Sequence, residues 1–153
     1  MDKGRRFISA ARELYPEAEF LEQSWDTLPN EQFDVIIMLS ALHYEKQPRE
    51  LMKRIYDRLA PDGLFVLEYG CVMQSTQKCW IEVPCGVGVV KYPTLPLLRD
   101  HILEDFASRN IGRSVDQAGN SLPRYVFHCI KKKTNYIIVG WVQMLEKRVL
   151  ALC

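Results

Sequence analysis

A chain of 153 residues is long enough for one domain with a real core, and 48% hydrophobic against 25% charged residues is the balance of a globular fold. Twenty Lys and Arg against nineteen Asp and Glu leave a formal charge of +1, which gives no electrostatic footing for nucleic acid or an anionic membrane surface. No apolar stretch nears the ~20 residues of a membrane helix, and MDKGRRF is charged and then amphipathic rather than a secretory leader, so a cytoplasmic protein is expected.

Five cysteines, Cys71, Cys79, Cys85, Cys129 and Cys153, are an odd number with no CxxC spacing. Neither a disulfide framework nor a closed zinc site is expected, and the thiols read as reduced and mostly buried.

Taken in order, residues 5–15 read as a helix with Phe7, Ile8, Ala11 and Leu14 on one face, stopped by Pro16. Ala18–Glu22 reads as a short strand, and Gln23–Asn30 as a loop carrying Ser24, Trp25 and Asp26. The clearest signal follows. Phe33–Leu39 runs apolar without alternation, the pattern of a parallel strand buried on both faces. Pro48 suits the first turn of a helix, and Leu51, Met52, Ile55 and Leu59 recur at helical spacing. Pro61-Asp62-Gly63 is expected to end that helix and turn the chain into a second strand, Leu64–Leu67. Strand, crossover helix and strand make a βαβ unit, and ligands of such sheets lie beyond the carboxyl ends of the strands. Those ends are Leu39–Tyr44 and Glu68–Cys71.

Tyr69–Lys91 is rich in Gly, Pro and Cys and weakly periodic, and it reads as a long functional loop. Thr94 is a candidate N-cap for a helix from about Leu95 to Arg109 that turns Leu98, Ile102, Leu103 and Phe106 inward. Ile111–Gln117 and Arg124–Lys131 read as an antiparallel edge pair around the turn cluster Ala118–Ser121. A polar linker containing Lys131-Lys132-Lys133, more a solvated loop than a binding patch, leads to an apolar strand, Tyr136–Gly140, and a possible helix, Val142–Leu152. Gly140 and Lys147 distantly suggest a phosphate loop, but the second glycine and the Lys-Ser/Thr pair are lacking, so the segment reads as an added strand and helix.

Four pieces in chain order carry a resemblance. They are DKGRRFISAAR, in which Arg12 follows Asp2 by ten residues; EFLEQSWDTLP; FDVIIMLSALHY; and LAPDGLFVLE, with Asp62 where a first glycine is usual. Together they resemble the class I methyltransferases that use S-adenosylmethionine. The resemblance implies an α/β, Rossmann-like fold: a mostly parallel, doubly wound sheet with an antiparallel C-terminal edge pair. It also implies S-adenosylmethionine as cofactor, a small molecule or sugar as acceptor, and a partial methyltransferase domain over residues 1–131. Residues 132–153 are then an extra strand and helix or the stub of a following domain.

The resemblance assigns site residues as well. Asp2 matches the acidic residue that accepts hydrogen bonds from the two ribose hydroxyls, unless it is a solvated aspartate. Ser24 and Trp25 fall beside the adenine, although Trp25 could equally cover a sheet edge. Leu39 would offer a backbone carbonyl under the methionine part of the cofactor. His43 is the histidine near the predicted site and has the ordinary pKa of a general base, but it could instead pack or cap the next helix. His101 and His128 read as structural.

One departure stands out. The family cradles its cofactor in a glycine-rich turn after a first strand, and these lie ahead of the position of Asp2. Gly86-Val87-Gly88 follows the later strand and lacks the third glycine, so it is no replacement. An N-terminally truncated methyltransferase is therefore the expectation. It would be missing its first strands and would have a sheet edge open to homo-oligomerisation. The rival is a non-catalytic remnant or interaction module. A third possibility is a nicotinamide-binding Rossmann domain.

Overall fold

The computed structural model describes residues 3–17, 27–85, 88–114, 122–132 and 149–152. Helix α1, Lys3–Leu14, stands where the amphipathic spacing places it. The strand expected at Ala18–Glu22, the loop with Ser24 and Trp25, the turn at Ala118–Ser121 and the strand at Tyr136–Gly140 lie outside the described residues.

The centre is the βαβ unit. Strand β1, Phe33–Leu39, and strand β2, Leu59–Gly70, pair in parallel with Ile36 opposite Phe65 and Met38 opposite Leu67. Helix α2, Pro48–Arg58, makes the crossover with Pro48 in its first turn, and it buries Leu51, Met52 and Ile55. The helix ends three residues before Pro61, because Leu59 is already extended. Pro61-Asp62-Gly63 is therefore an irregularity inside β2: the register steps from Phe33–Leu59 to Val35–Leu64, and the surplus residues bulge. Gly63 is required at this approach, since a Cβ there would stand 3.0 Å from the Asp34 carbonyl oxygen and 2.8 Å from the Leu59 side chain.

The larger sheet has the order β5-β6-β2-β1-β7. Strands β5, Phe106–Arg113, and β6, Arg124–Lys131, form the antiparallel edge pair, and β6 runs antiparallel to β2. One face of the sheet is the core: Ile36 and Met38, Phe65, Leu67 and Tyr69, Phe127 and Cys129 all lie there, buried. The opposite face of β1 is less covered than an unalternating apolar run suggests, with Val35 and Ile37 half-buried and Leu39 48% exposed. The strand alternates in burial although not in sequence.

Two expected elements change shape. The helix expected from Leu95 to Arg109 is one α-helical turn, Leu95–Leu97, that widens into a π-helical turn, Leu98–Ile102, where the Leu103 N–H donates to the Leu98 carbonyl at 2.8 Å. Leu98, Ile102, Leu103 and Phe106 are all buried as the spacing implies, but Phe106 opens β5 instead of continuing a helix. Its ladder with Lys131 and its edge-on packing against Tyr56, 5.5 Å between ring centroids, outweigh local helical preference. Second, residues 69–91 are not one loop. Strands β3, Trp80–Cys85, and β4, Gly88–Pro93, form a separate antiparallel hairpin. Gly88 opens β4, so it belongs to a hairpin strand and not to a phosphate loop.

The possible helix over Val142–Leu152 is also corrected at its end. Val149–Leu152 is strand β7, parallel to β1 with Val35 opposite Val149 and Met38 opposite Leu152. A short apolar stretch takes its structure from the ladder it can join. The edge of β1 that the sequence reading leaves open is thus paired. Among the described residues, no helix is long and apolar enough to cross a membrane, and no cluster of three potential ligands could hold a metal.

Candidate active site

Both carboxyl ends of the βαβ strands open toward one place. After Leu39 the chain bends through Ser40, whose φ of +53° puts a non-glycine residue in the left-handed region. Such a conformation costs about 1–3 kcal/mol and persists where its surroundings fix it. Here they do. The Ser40 N–H donates to the Glu68 carbonyl at 3.2 Å, its hydroxyl donates to the Glu68 carboxylate, and Arg124 donates to the same hydroxyl oxygen. Arg124 begins β6 opposite Gly70, so the network ties the ends of β1 and β2 to the start of β6. Burial pushes the Glu68 carboxyl up, but the hydroxyls of Ser40 and Ser114 and the charge of Arg124 together hold it below its ordinary value. It is an ionised member of the network at neutral pH.

Beyond Ser40, Ala41 and Leu42 are buried and a 3₁₀ turn, Leu42–Tyr44, presents His43 and Tyr44, their rings 3.9 Å apart. Half-burial first, and the neighbouring Arg124 charge second, lower the His43 pKa below its ordinary 6.5. The imidazole is therefore neutral at neutral pH and can accept a proton.

His43 and Arg124 line a cavity of about 1200 Å³. Its walls come from the turn after β1, the start of α2, Tyr69 at the end of β2, the β3–β4 hairpin and the π-helical turn. The hairpin is anchored at its base. Buried Thr94 donates its hydroxyl to the Gln77 carbonyl at 2.5 Å and accepts from the Cys79 N–H at 3.2 Å, so the expected N-cap hydroxyl serves the hairpin's root and not the helix end. Tyr92 lies against Gly70, where a Cβ would come within 2.3 Å of the ring. Close packing there requires glycine.

Of the site residues read from sequence, Leu39 and His43 are brought to this end of the sheet, Leu39 as an exposed apolar side chain and His43 in the cavity wall. Asp2, Ser24 and Trp25 lie outside the described residues. Sequence reading missed Ser40, Glu68 and Arg124 as a unit, because residues 28 and 84 positions apart meet only through the sheet register. His101, read from sequence as structural, lines the same cavity from the π-helical turn. The buried thiols Cys71 and Cys129, each pushed up to about 12 by burial, are poor nucleophiles, as reduced structural cysteines should be.

Comparison with known proteins now bears on this geometry. A family model described as a methyltransferase domain matches residues 8–119. The chain belongs to that methyltransferase family. No curated protein matches the sequence. Among solved structures, the glycopeptide N-methyltransferase MtfA, complexed with S-adenosyl-L-methionine, superposes with a TM-score of 0.53 at 12% identity. That match covers 84% of this chain and 75% of MtfA. DhpI, in a complex titled DhpI-SAM-HEP, gives 0.51 at 16% identity over 80% of this chain and 62% of its own. TehB from Haemophilus influenzae gives 0.50 at 14% identity, over 84% and 46% respectively. At these identities the likeness is one of fold, and it agrees with the Rossmann-like, mixed α/β sheet of this methyltransferase domain.

Proposed function

We propose that this methyltransferase domain transfers a methyl group from S-adenosylmethionine to a small-molecule or sugar acceptor held in the cavity beyond β1 and β2. The observation that carries the reading is the neutral imidazole of His43 on the wall of a roomy cavity at the carboxyl ends of two parallel strands. Family membership supports the cofactor, and MtfA and DhpI were crystallised with it.

The described residues fit such a cofactor on one side. Leu39 leaves an apolar side chain 48% exposed at the strand end, and the Ser40 bend is held rigid beside it. Leu39 would lie against the methionine part; Asp2, Ser24 and Trp25 are assigned to the ribose and adenine by resemblance alone. The cofactor supplies a methyl group on a sulfonium. With the cofactor bound, the acceptor's lone pair would take that methyl group, and the carbon–sulfur electron pair would stay on the departing sulfur. His43 takes the acceptor's proton, and the Ser40–Glu68–Arg124 network fixes the turn that carries it. The protein's further contribution is to hold donor and acceptor in line.

The test is transfer of tritium from methyl-labelled S-adenosylmethionine to a panel of hydroxyl and amine acceptors, with His43→Gln as the variant. Loss of a general base lowers the rate by about 100-fold or more. Transfer by wild type that His43→Gln leaves unchanged contradicts the base assignment. No calorimetric binding of S-adenosylmethionine contradicts the cofactor reading and favours a non-catalytic role.

A further inference from the structure

The cavity's walls say more about the acceptor than its position does. The four phenylalanines whose side chains are described, Phe33, Phe65, Phe106 and Phe127, are all in the core. The cavity instead takes Tyr44, Tyr69, Trp80 and Tyr92, rings with an apolar body and a polar edge. Two of these are conspicuously uncovered, Tyr44 at 74% and Trp80 at 40% exposure. They come from different elements, the turn after β1 and the hairpin, so no single local packing need explains both. Large apolar surface left open around one concavity marks a binding site and not incidental exposure.

The polar residues of the wall narrow the chemistry. Lys91 is paired with Glu82 at 3.0 Å, Glu50 with Lys53 at 3.3 Å, and the Glu45 carboxylate accepts the Gln47 N–H at 2.7 Å. Arg124 is engaged with Ser40. Among the described residues, Gln47 is the one carboxamide of the wall. A polyol needs several carboxylate or amide partners for its hydroxyls, because each one desolvated without a partner costs binding. Arg49 is paired with Asp105 at 2.7 Å, so beside Lys46 the wall offers chiefly rings, with the imidazoles of His43 and His101 among them.

We infer that the acceptor is a flat aromatic molecule bearing a hydroxyl group, its ring held by Trp80 and Tyr44 and its hydroxyl directed to His43. The assignment rests on the methyl-transfer reading for the role of that hydroxyl, whereas the ring-binding cavity stands without it. The β3–β4 hairpin then selects the acceptor: Trp80 sits on a strand pair that is separate from the main sheet and rooted by Thr94.

The experiment is calorimetric titration of the full chain, without cofactor, with 2-naphthol and with methyl glucoside. 2-Naphthol is expected to bind about tenfold or more tightly than the glucoside, and Trp80→Ala and Tyr44→Ala each to weaken it about tenfold, as loss of a stacking ring does. Asp57→Ala, on α2 and away from the cavity wall, should change nothing. Thermal unfolding of each variant shows whether it is folded; Tyr44, at 74% exposure, can be removed without touching the core. Tighter binding of the glucoside, no binding of 2-naphthol, or binding indifferent to both ring deletions overturns the proposal. A parallel titration with S-adenosylmethionine separates the two readings. Naphthol bound without cofactor binding contradicts methyl transfer and leaves the aromatic cavity standing; cofactor bound without naphthol does the reverse.

Discussion

The β1–α2–β2 unit and the β3–β4 hairpin face the same cavity but are built on opposite terms. The first is fixed from within: Ile36, Met38, Leu51, Met52, Ile55, Phe65 and Leu67 are fully buried, and parallel ladders run on both sides of β1. The second is two-stranded and lies outside the main sheet, with Ile81 and Val89 exposed at 36% and 58%. Isolated hairpins are marginal in water, so this one depends on its anchors, Thr94 at the root and Tyr92 against Gly70. The difference teaches where each kind of function resides. His43, Ser40 and Glu68, which the proposed reaction needs held still, are on the rigid unit and tied to β6 by Arg124, and Trp80, proposed to help choose the acceptor, is on the element whose residues can change without harming the core.

Breaking the rigid side should cost most. Phe65→Ala removes a side chain with no exposure from between β1 and the Phe106 ring, 5.7 Å away, and is expected to lower stability by about 3–5 kcal/mol in urea denaturation. A loss under about 1 kcal/mol would mean the core lies elsewhere. On the hairpin side, Gly70→Ala forces the Tyr92 ring aside and is expected to cost about 1–3 kcal/mol. Its amide hydrogen exchange should quicken in the hairpin and stay slow in β1. Uniform quickening would show that the two regions are not separable.

The smallest effect is electrostatic. The folded pKa of His43 lies below its ordinary 6.5, so the unfolded chain binds the extra proton first and stability falls as pH drops below about 6.5 toward the folded value. His43→Asn should flatten that part of the profile. An unchanged slope would place the titration on another group.

Much of this was legible in the sequence, for reasons that can be named. The apolar run at Phe33–Leu39, Pro48 at a helix start and the spacing of Leu51, Met52 and Ile55 are local signals of a βαβ unit, and all three hold. The hairpin was hidden because Gly, Pro and Cys in residues 69–91 mask the short alternation of Trp80–Val83. The helix expected at Leu95–Arg109 was misread because inward residues at helical spacing also suit a widened turn leading into a strand at Phe106. Register effects were beyond reach altogether. Nothing local to Ser40, Glu68 or Arg124 announces that they bond to one another, and Val149–Leu152 becomes a strand only because β1 has an edge to offer.

The central claim is that the carboxyl end of β1 is where a methyl donor meets the fold. The most direct measurement is the amide NMR spectrum of the isotope-labelled chain titrated with S-adenosylmethionine. Saturable shifts are expected at Leu39, Ser40, Ala41 and His43, with α2 residues such as Lys53 and Asp57 unmoved. Shifts confined to other segments, or none at millimolar cofactor, would contradict it.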